Sequence, residues 1–245
     1  HGLQEAEQID YYRDVTRFID PYTMKVGEET IQGDIIVLCT GSKPAIPPIE
    51  GIDSVPFHTS STLLDLEEIP DSLLIIGGGY IAAEYGFFFS QMGTKVTIVG
   101  RNPQFLPDEE PEISAVAQHK LSKHLDIITN HEVRAVSPRG DDIEITALNR
   151  EKGSEVSFEA SELLIATGRI PETDILQPER GGIEVDKQGW ITVDEHLQTS
   201  QPNVWALGDA TGHHLFKHVA NHEVKIVYHN ALLGKDLTVD YHAAP

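Results

Sequence analysis

Four short runs of consecutive apolar residues set the rhythm of this chain: Ile35–Cys39, Leu73–Ile76, Leu163–Ala166 and Val204–Leu207, each closed within two residues by a glycine. Unbroken, branched runs of this length predict strands buried on both faces. After the second run comes the turn Gly77-Gly78-Gly79, a helix over Tyr80–Met92 and a further strand over Lys95–Val99. The spacing of Ile113, Val116, Leu121 and Leu125 predicts a helix within Glu110–Leu125. Glu132–Val136, Ile143–Ala147 and Glu155–Phe158 alternate as strands do, and Gly182–Val185 with Trp190–Val193 reads as a hairpin. From Thr16 onward, Phe18-Ile19 and Met24–Val26 flank the turn Asp20-Pro21-Tyr22, and Gly33-Asp34 breaks before the first apolar run. A short capped helix is expected over Ser60–Leu66 and a longer one from Val219 to Leu233, stopped by Gly234. Strands alternating with helices predict an α/β protein whose parallel sheet is covered on both faces.

Lys43–Pro56 carries Pro44, Pro47, Pro48 and Gly51, a stiff crossing segment with no periodicity. The expected organisation is therefore residues 1–50, a linker over 51–70, a nucleotide domain over 71–172, and residues 173–245 rejoining the first part. Charge narrows the partners. Against 18 Lys and Arg stand 39 Asp and Glu, a formal charge of −21. Such a chain repels a phosphate backbone, so general nucleic-acid binding is not expected. The same acidity fits either a high-salt source or an ordinary acidic surface. No apolar run approaches the ~20 residues of a membrane span. One cysteine, Cys39, leaves no internal disulfide and no cysteine cage for a metal, and inside a buried strand it reads as a small filler. The chain opens at His1 in mid-pattern with no leader, which suggests a central fragment and a cytoplasmic setting.

The chemistry concentrates at Gly77-x-Gly79-x-x-Ala82, between a predicted strand and a predicted helix. That context is what a dinucleotide fingerprint requires: Gly77 for the tight turn, Gly79 for close approach of a pyrophosphate, and small Ala82 for helix-to-strand packing. Exposed N–H groups and the positive helix end would hold the phosphates. An acid about 20 residues on would accept from a ribose 2′-OH. That place is Gly100, followed by Arg101, and no carboxylate appears until Asp108. Arg101 could pair with a 2′-phosphate that an acid would repel, so the local charge leans toward NADPH. Elsewhere the patterns thin out. His214, His218 and His222 have a spacing of four, but Gly212-His213-His214 reads as loop and no carboxylate or cysteine completes a metal set. His222-Glu223 lacks the following histidine of a zinc protease, and no G-x-S-x-G elbow is present.

Four ordered stretches carry a resemblance: Val37–Pro44 (with Thr40, Gly41 and Ser42), Gly77–Glu84, Ala166-Thr167-Gly168-Arg169-Ile170-Pro171, and Thr199 followed by Ala206-Leu207-Gly208-Asp209. Together they resemble the pyridine nucleotide–disulfide oxidoreductases, the group of dihydrolipoamide dehydrogenase and glutathione, mercuric and mycothione reductases. The resemblance implies a Rossmann-like NAD(P) domain inserted in a partial FAD-binding domain, with β-meanders making three layers. It implies an NAD(P) site at Gly77, Gly78, Gly79, Tyr80, Ile81, Ala82, Glu84, Gly100, Arg101 and Gly168. Tyr80 resembles the gate over the flavin, and Glu84 the acid that touches the nicotinamide carboxamide. For FAD it implies Thr40, Gly41 and Ser42, then Gly208 and Asp209, with Leu215, Phe216, Lys217 and His218 beside the flavin. A helix N-cap is the other reading of Asp209. The activity implied is hydride transfer between nicotinamide and FAD, then electron exchange with a disulfide or dithiol substrate. The redox cysteine pair and the dimerisation domain of a homodimeric parent would lie outside this chain. The first expectation is a dihydrolipoamide dehydrogenase-like enzyme, because Leu106-Pro107 resembles that branch; the alternative, to which Tyr80 and Arg101 are similar, is an NADPH-dependent reductase of glutathione, mycothiol or mercuric ion. A non-catalytic NAD(P)-binding module is a further possibility.

Overall fold

The computed structural model describes residues 8–242, in two units. One takes the chain up to Lys43 and again from Ile170; the other is Pro44–Arg169. The first unit begins with β1 (Thr16–Asp20), β2 (Thr23–Val26), β3 (Glu29–Gln32) and β4 (Ile36–Leu38), and the chain leaves it through β5 (Ser42–Pro44). The second holds β6 (Ser72–Ile76), α1 (Tyr80–Gln91), β7 (Lys95–Val99), α2 (Pro111–Leu121), β8 (Asp126–Ile128), β9 (His131–Arg139), β10 (Asp142–Asn149), β11 (Glu155–Ala160) and β12 (Glu162–Ile165). Through β13 (Arg169–Pro171) the chain returns to the first unit, which ends with β14 (Val204–Ala206) and α3 (Lys217–Leu233).

In the inserted unit, β12, β6, β7 and β8 form a parallel sheet in that order, and β9, β10 and β11 an antiparallel meander. The apolar run of β6 explains the layering. Successive side chains of a strand point to opposite faces. Leu73 and Ile75 join a core with Ala82 and Phe89 of α1, while Leu74 and Ile76 join one with Val136, Ile143 and Ile145 of the meander. Leu73, Leu74 and Ile75 are all fully buried, each worth roughly 1.5–3 kcal/mol of transfer from water. Gly86 lets α1 lie close to this sheet. A Cβ there would meet Ile98 Cδ1 at 3.0 Å and Ile75 Cδ1 at 3.5 Å.

The first unit repeats the plan with fewer strands. β4 and β14 pair in parallel, and β1, β2 and β3 form an antiparallel meander. Val204 and Ala206 pack with Phe18, Met24 and Leu38, whereas Trp205 and Leu207 pack with Ile226 and Val227 of α3.

Several expectations need correction. Ile35–Cys39 is not buried on both faces: Ile35 and Val37 are about two-fifths exposed and Cys39 is exposed. Residues 51–70 are not a linker. Ile49, Ile52 and Val55 are buried in the core beside the meander, and single bridges join Glu50 to Ala135 and His58 to Leu164. The unit boundaries accordingly fall at Lys43/Pro44 and Arg169/Ile170. The helix expected over Ser60–Leu66 is one 3₁₀ turn, Leu63–Asp65. In α2 the face turned inward carries Ser114, whose hydroxyl donates to the Phe105 carbonyl, and Ile113 and Val116 point to solvent. The hairpin at 182–193 is reduced to one bridge, Val185 with Ile191. α3 starts two residues before Val219, at Lys217.

Candidate functional site

In the inserted unit the sequence-predicted residues gather at the carboxyl ends of the parallel strands, where open α/β sheets bind ligands. Gly77 follows β6 with φ +141, and a Cβ on it would overlap the carbonyl oxygen of Ala166 at the end of β12. Its N–H donates to Val99 O (3.0 Å), tying the turn to β7. Gly78 accepts from Leu106 N–H at 2.7 Å. Gly79 is different: nothing lies within 4 Å of where its Cβ would be, and its backbone is extended. It is the N-cap of α1, no side chain caps that helix, and its first turn holds no acid. A helix leaves its first N–H groups without intrahelical partners. Here Tyr80, Ile81 and Ala82 supply that first turn beside open space, which is what a bound diphosphate requires. Ala82 is fully buried against the sheet. Gly168, with φ +110 and nothing near its missing Cβ, closes the same end, its carbonyl accepting from Ala45 N–H at 3.0 Å. Glu84 is exposed on α1.

Tyr80 does not stand free. Its hydroxyl donates to Glu109, and that bond, with some desolvation and the charges of Glu109 and Asp108, pushes the phenol pKa up to about 12. Glu109 sits on a folded turn: Gln104 Nε2 donates to its carbonyl at 2.8 Å, and its own N–H donates to Leu106 O at 3.1 Å. Leu106 is largely buried with φ +50, so Leu106-Pro107 shapes the loop over Gly78.

Around Gly100 the third strand and the meander contribute. Gly100 donates to Ile128 O (2.8 Å) and accepts from His131 N–H (2.9 Å); Asn102 accepts from Asn130 N–H (2.7 Å). Arg101 is exposed.

In the first unit, β14 runs into a 3₁₀ turn, Gly208–Thr211, with Gly208 at φ +66. The carboxylate of Glu223, only 1 % exposed, accepts the Gly208 N–H at 2.6 Å and the Tyr241 hydroxyl at 2.6 Å. This fixes the turn that presents Asp209, which accepts from Ser42 Oγ at 2.6 Å. Asp209 is not the cap of α3, whose N-cap is Phe216, seven residues later and without a side-chain hydrogen bond. Beside Ser42, the Thr40 hydroxyl oxygen is buried with no hydrogen-bond partner, and Gly41 has φ +72 with open space at its missing Cβ. A buried hydroxyl without a partner is uncommon and fits a polar ligand atom at this turn. Leu215 is partly exposed, Phe216 stacks on His218 at 5.5 Å, and Lys217 and His218 open α3. Cys39 is exposed as a residue, yet packing around its sulfur, and then the charge of Glu223, raise its thiol pKa, which disfavours a thiolate nucleophile. A cavity of about 510 Å³ in this unit is walled by Lys43, Ile170, Asp174 and Gln188, none of them a predicted site residue.

Among the described residues no three histidine, cysteine or acidic side chains group to hold a metal, and only His218 and His222 of the histidine series lie on α3. No helix is long and apolar enough to cross a membrane. Sequence reasoning missed Gly86, Glu223 and the meander's part around Gly100. Glu223 had a signal: it replaces an apolar residue on the buried stripe of Val219, Ile226 and Val227.

Both units are thus helix, parallel sheet and meander with glycine turns at the strand ends, the architecture of paired dinucleotide folds. The family model described as pyridine nucleotide-disulphide oxidoreductase matches residues 2–229, and the chain belongs to that family, whose members bind FAD and NAD(P)H. It is 37 % identical over 231 residues to a mercuric reductase of Staphylococcus aureus, covering 94 % of this chain and 42 % of that protein. To a dihydrolipoyl dehydrogenase of Synechocystis it is 37 % identical over 218 residues, 86 % of this chain and 46 % of that one. The solved structure of the HOCl-induced flavoprotein disulfide reductase RclA from Escherichia coli superposes with a TM-score of 0.88 at 33 % identity, over 97 % of this chain and 54 % of the other. The chain spans about half the length of these relatives.

Proposed function

We propose that this chain is the cofactor-holding part of a flavin-dependent NADPH:disulfide or metal-ion reductase, with Gly77–Ala82 cradling the nicotinamide dinucleotide and Thr40–Ser42 with Gly208-Asp209 holding FAD. The carrying observation is the uncapped start of α1 at Gly79, open where a Cβ would stand and with no acid in the first turn of the helix itself. FAD when bound supplies the acceptor for a nicotinamide hydride. This chain's residues orient and bind. The α1 N–H groups would neutralise phosphate, Glu84 would serve the carboxamide, Gly168 would leave room for the ribose, and Tyr80 would have to leave the Glu109 carboxylate to admit the ring. Asp209, braced by Ser42, accepts from cofactor hydroxyls, and the unpartnered Thr40 hydroxyl donates to the same ligand. Leu215, Phe216, Lys217 and His218 would flank the flavin. The disulfide or dithiol substrate, a homodimeric parent and a cytoplasmic setting belong to this proposal.

Arg101 beside Gly100, with no carboxylate from Lys95 to Pro107, favours NADPH. A dihydrolipoamide dehydrogenase using NADH is the second reading. The feature that favoured it, Leu106-Pro107, has a packing role over Gly78 that any branch can use. Anaerobic addition of NADPH to the full-length protein should bleach its flavin band within the mixing time, and NADH should do so more slowly. A protein without flavin, or with a flavin indifferent to both nucleotides, would refute the redox reading.

A further inference from the structure

We infer that Arg150, carried on the turn between β10 and β11, is the second cation of a subsite at Gly100–Asn102 that selects a 2′-phosphorylated nucleotide. This rests on the dinucleotide reading of the inserted unit and adds to it a residue some fifty positions beyond Arg101. The Arg150 guanidinium reaches back to the loop after β7, donating from one terminal nitrogen to the Arg101 carbonyl at 3.0 Å. The two are held in place by a chain of backbone bonds. Arg150 N–H donates to Asn130 O (2.9 Å), Asn130 N–H to Asn102 O (2.7 Å), and His131 N–H to Gly100 O (2.9 Å). The turn is itself rigid: the Asn149 side chain accepts from Glu151 and Lys152 N–H at 3.0 and 2.9 Å, and Asn149 N–H donates to Ser154 O at 2.8 Å.

The donors are available. A guanidinium has five N–H groups. One is spent on Arg101 O, and the Nε edge faces Glu132 at 4.0 Å, a carboxylate that Arg134 engages more closely at 2.9 Å. The remaining N–H groups of Arg150 are left for a ligand, and its side chain is about half exposed. Local charge agrees. Arg101, Arg134, Arg150 and Lys152 outnumber Glu132 and Glu151 at this corner of a chain of formal charge −21. A ribose 2′-OH finds no carboxylate acceptor on the loop, whereas a 2′-phosphate would meet the Arg150 guanidinium held at the Arg101 carbonyl, with exposed Arg101 on the same loop, and guanidinium binds phosphate in a two-pronged fashion.

The test is a titration of the full-length protein with 2′,5′-ADP and 5′-AMP as redox-silent probes, alongside NADPH and NADH, in wild type, Arg150→Ala and Arg150→Met. The expected result is that wild type prefers 2′,5′-ADP to 5′-AMP. Both variants should weaken 2′,5′-ADP and NADPH by about ten-fold, the scale of one charge-assisted phosphate contact. 5′-AMP and NADH should bind as before, and raising the salt should narrow the wild-type preference. An equal loss for both probe classes would make Arg150 a prop for the loop and overturn the inference, as would no loss at all or a wild type blind to the 2′-phosphate. If wild type binds none of the four, the dinucleotide reading itself has failed, a separate outcome.

Discussion

The two units use one layer plan but hold their turns differently. In the inserted unit, β6 lies between β12 and β7, both faces are covered, and the turn is made by clearance: Gly77 has no room for a side chain against Ala166, and the place of a Gly79 Cβ is open. In the other unit the parallel sheet has two described strands, and Ile35 and Val37 at β4 are about two-fifths exposed. There the turn is held by side chains, with buried Glu223 gripping Gly208 N–H and Ser42 bracing Asp209. A site made by backbone clearance is tolerant of charge changes and intolerant of a methyl group; a site made by a buried carboxylate is the reverse.

The largest expected effect breaks the first half of that contrast. Gly77→Ala forces a Cβ into the Ala166 carbonyl at φ +141, costing about 3 kcal/mol or more from strain and overlap. The denaturant midpoint should fall accordingly. Glu223→Ala comes next: it strands a buried Gly208 N–H and leaves the Tyr241 hydroxyl without its acceptor, worth about 2–3 kcal/mol. Glu223→Gln, which keeps an acceptor for one of them, should lose less than half as much. If Glu223→Ala melts like wild type, the two units are held alike and the contrast is wrong.

Tyr80 sharpens the picture through its titration, well above neutral pH. Its phenol is held protonated to about pH 12 by Glu109, above the ordinary 10.0. Because the folded value is the higher one, the contribution is whole below pH 10 and is lost as pH rises toward 12. Ultraviolet titration of the phenolate in Glu109→Gln, read against a Tyr80→Phe blank, should show this residue ionising nearer its ordinary value. The smallest effect is at Ile113, about half exposed on α2. Ile113→Ser should change stability by less than about 0.5 kcal/mol, as at other open surface positions.

The strands were legible because their apolar runs are continuous, and the Gly77–Ala82 turn because its chemistry is local: three glycines between a strand and a helix. What the sequence hid depends on partners distant along the chain. Ile113 and Val116 have helical spacing yet face water, because α2 turns Ser114, Ala117 and Leu121 inward. Residues 43–56 read as a stiff crossing segment because their prolines mask three buried side chains, Ile49, Ile52 and Val55, that meet the meander some eighty residues later. Arg150 joins the Gly100 corner only through the Asn130–Asn102 pairing, which no local pattern announces.

The claim on which the account stands is that the space above Gly79 belongs to a diphosphate. Gly79→Ala tests it, since the extended backbone accepts alanine and no atom lies within 4 Å of the new methyl. The account predicts a melting temperature within about 4 °C of wild type together with a loss of ten-fold or more in NADPH affinity, read by quenching on titration. A variant that melts normally and binds NADPH as tightly as wild type would contradict it.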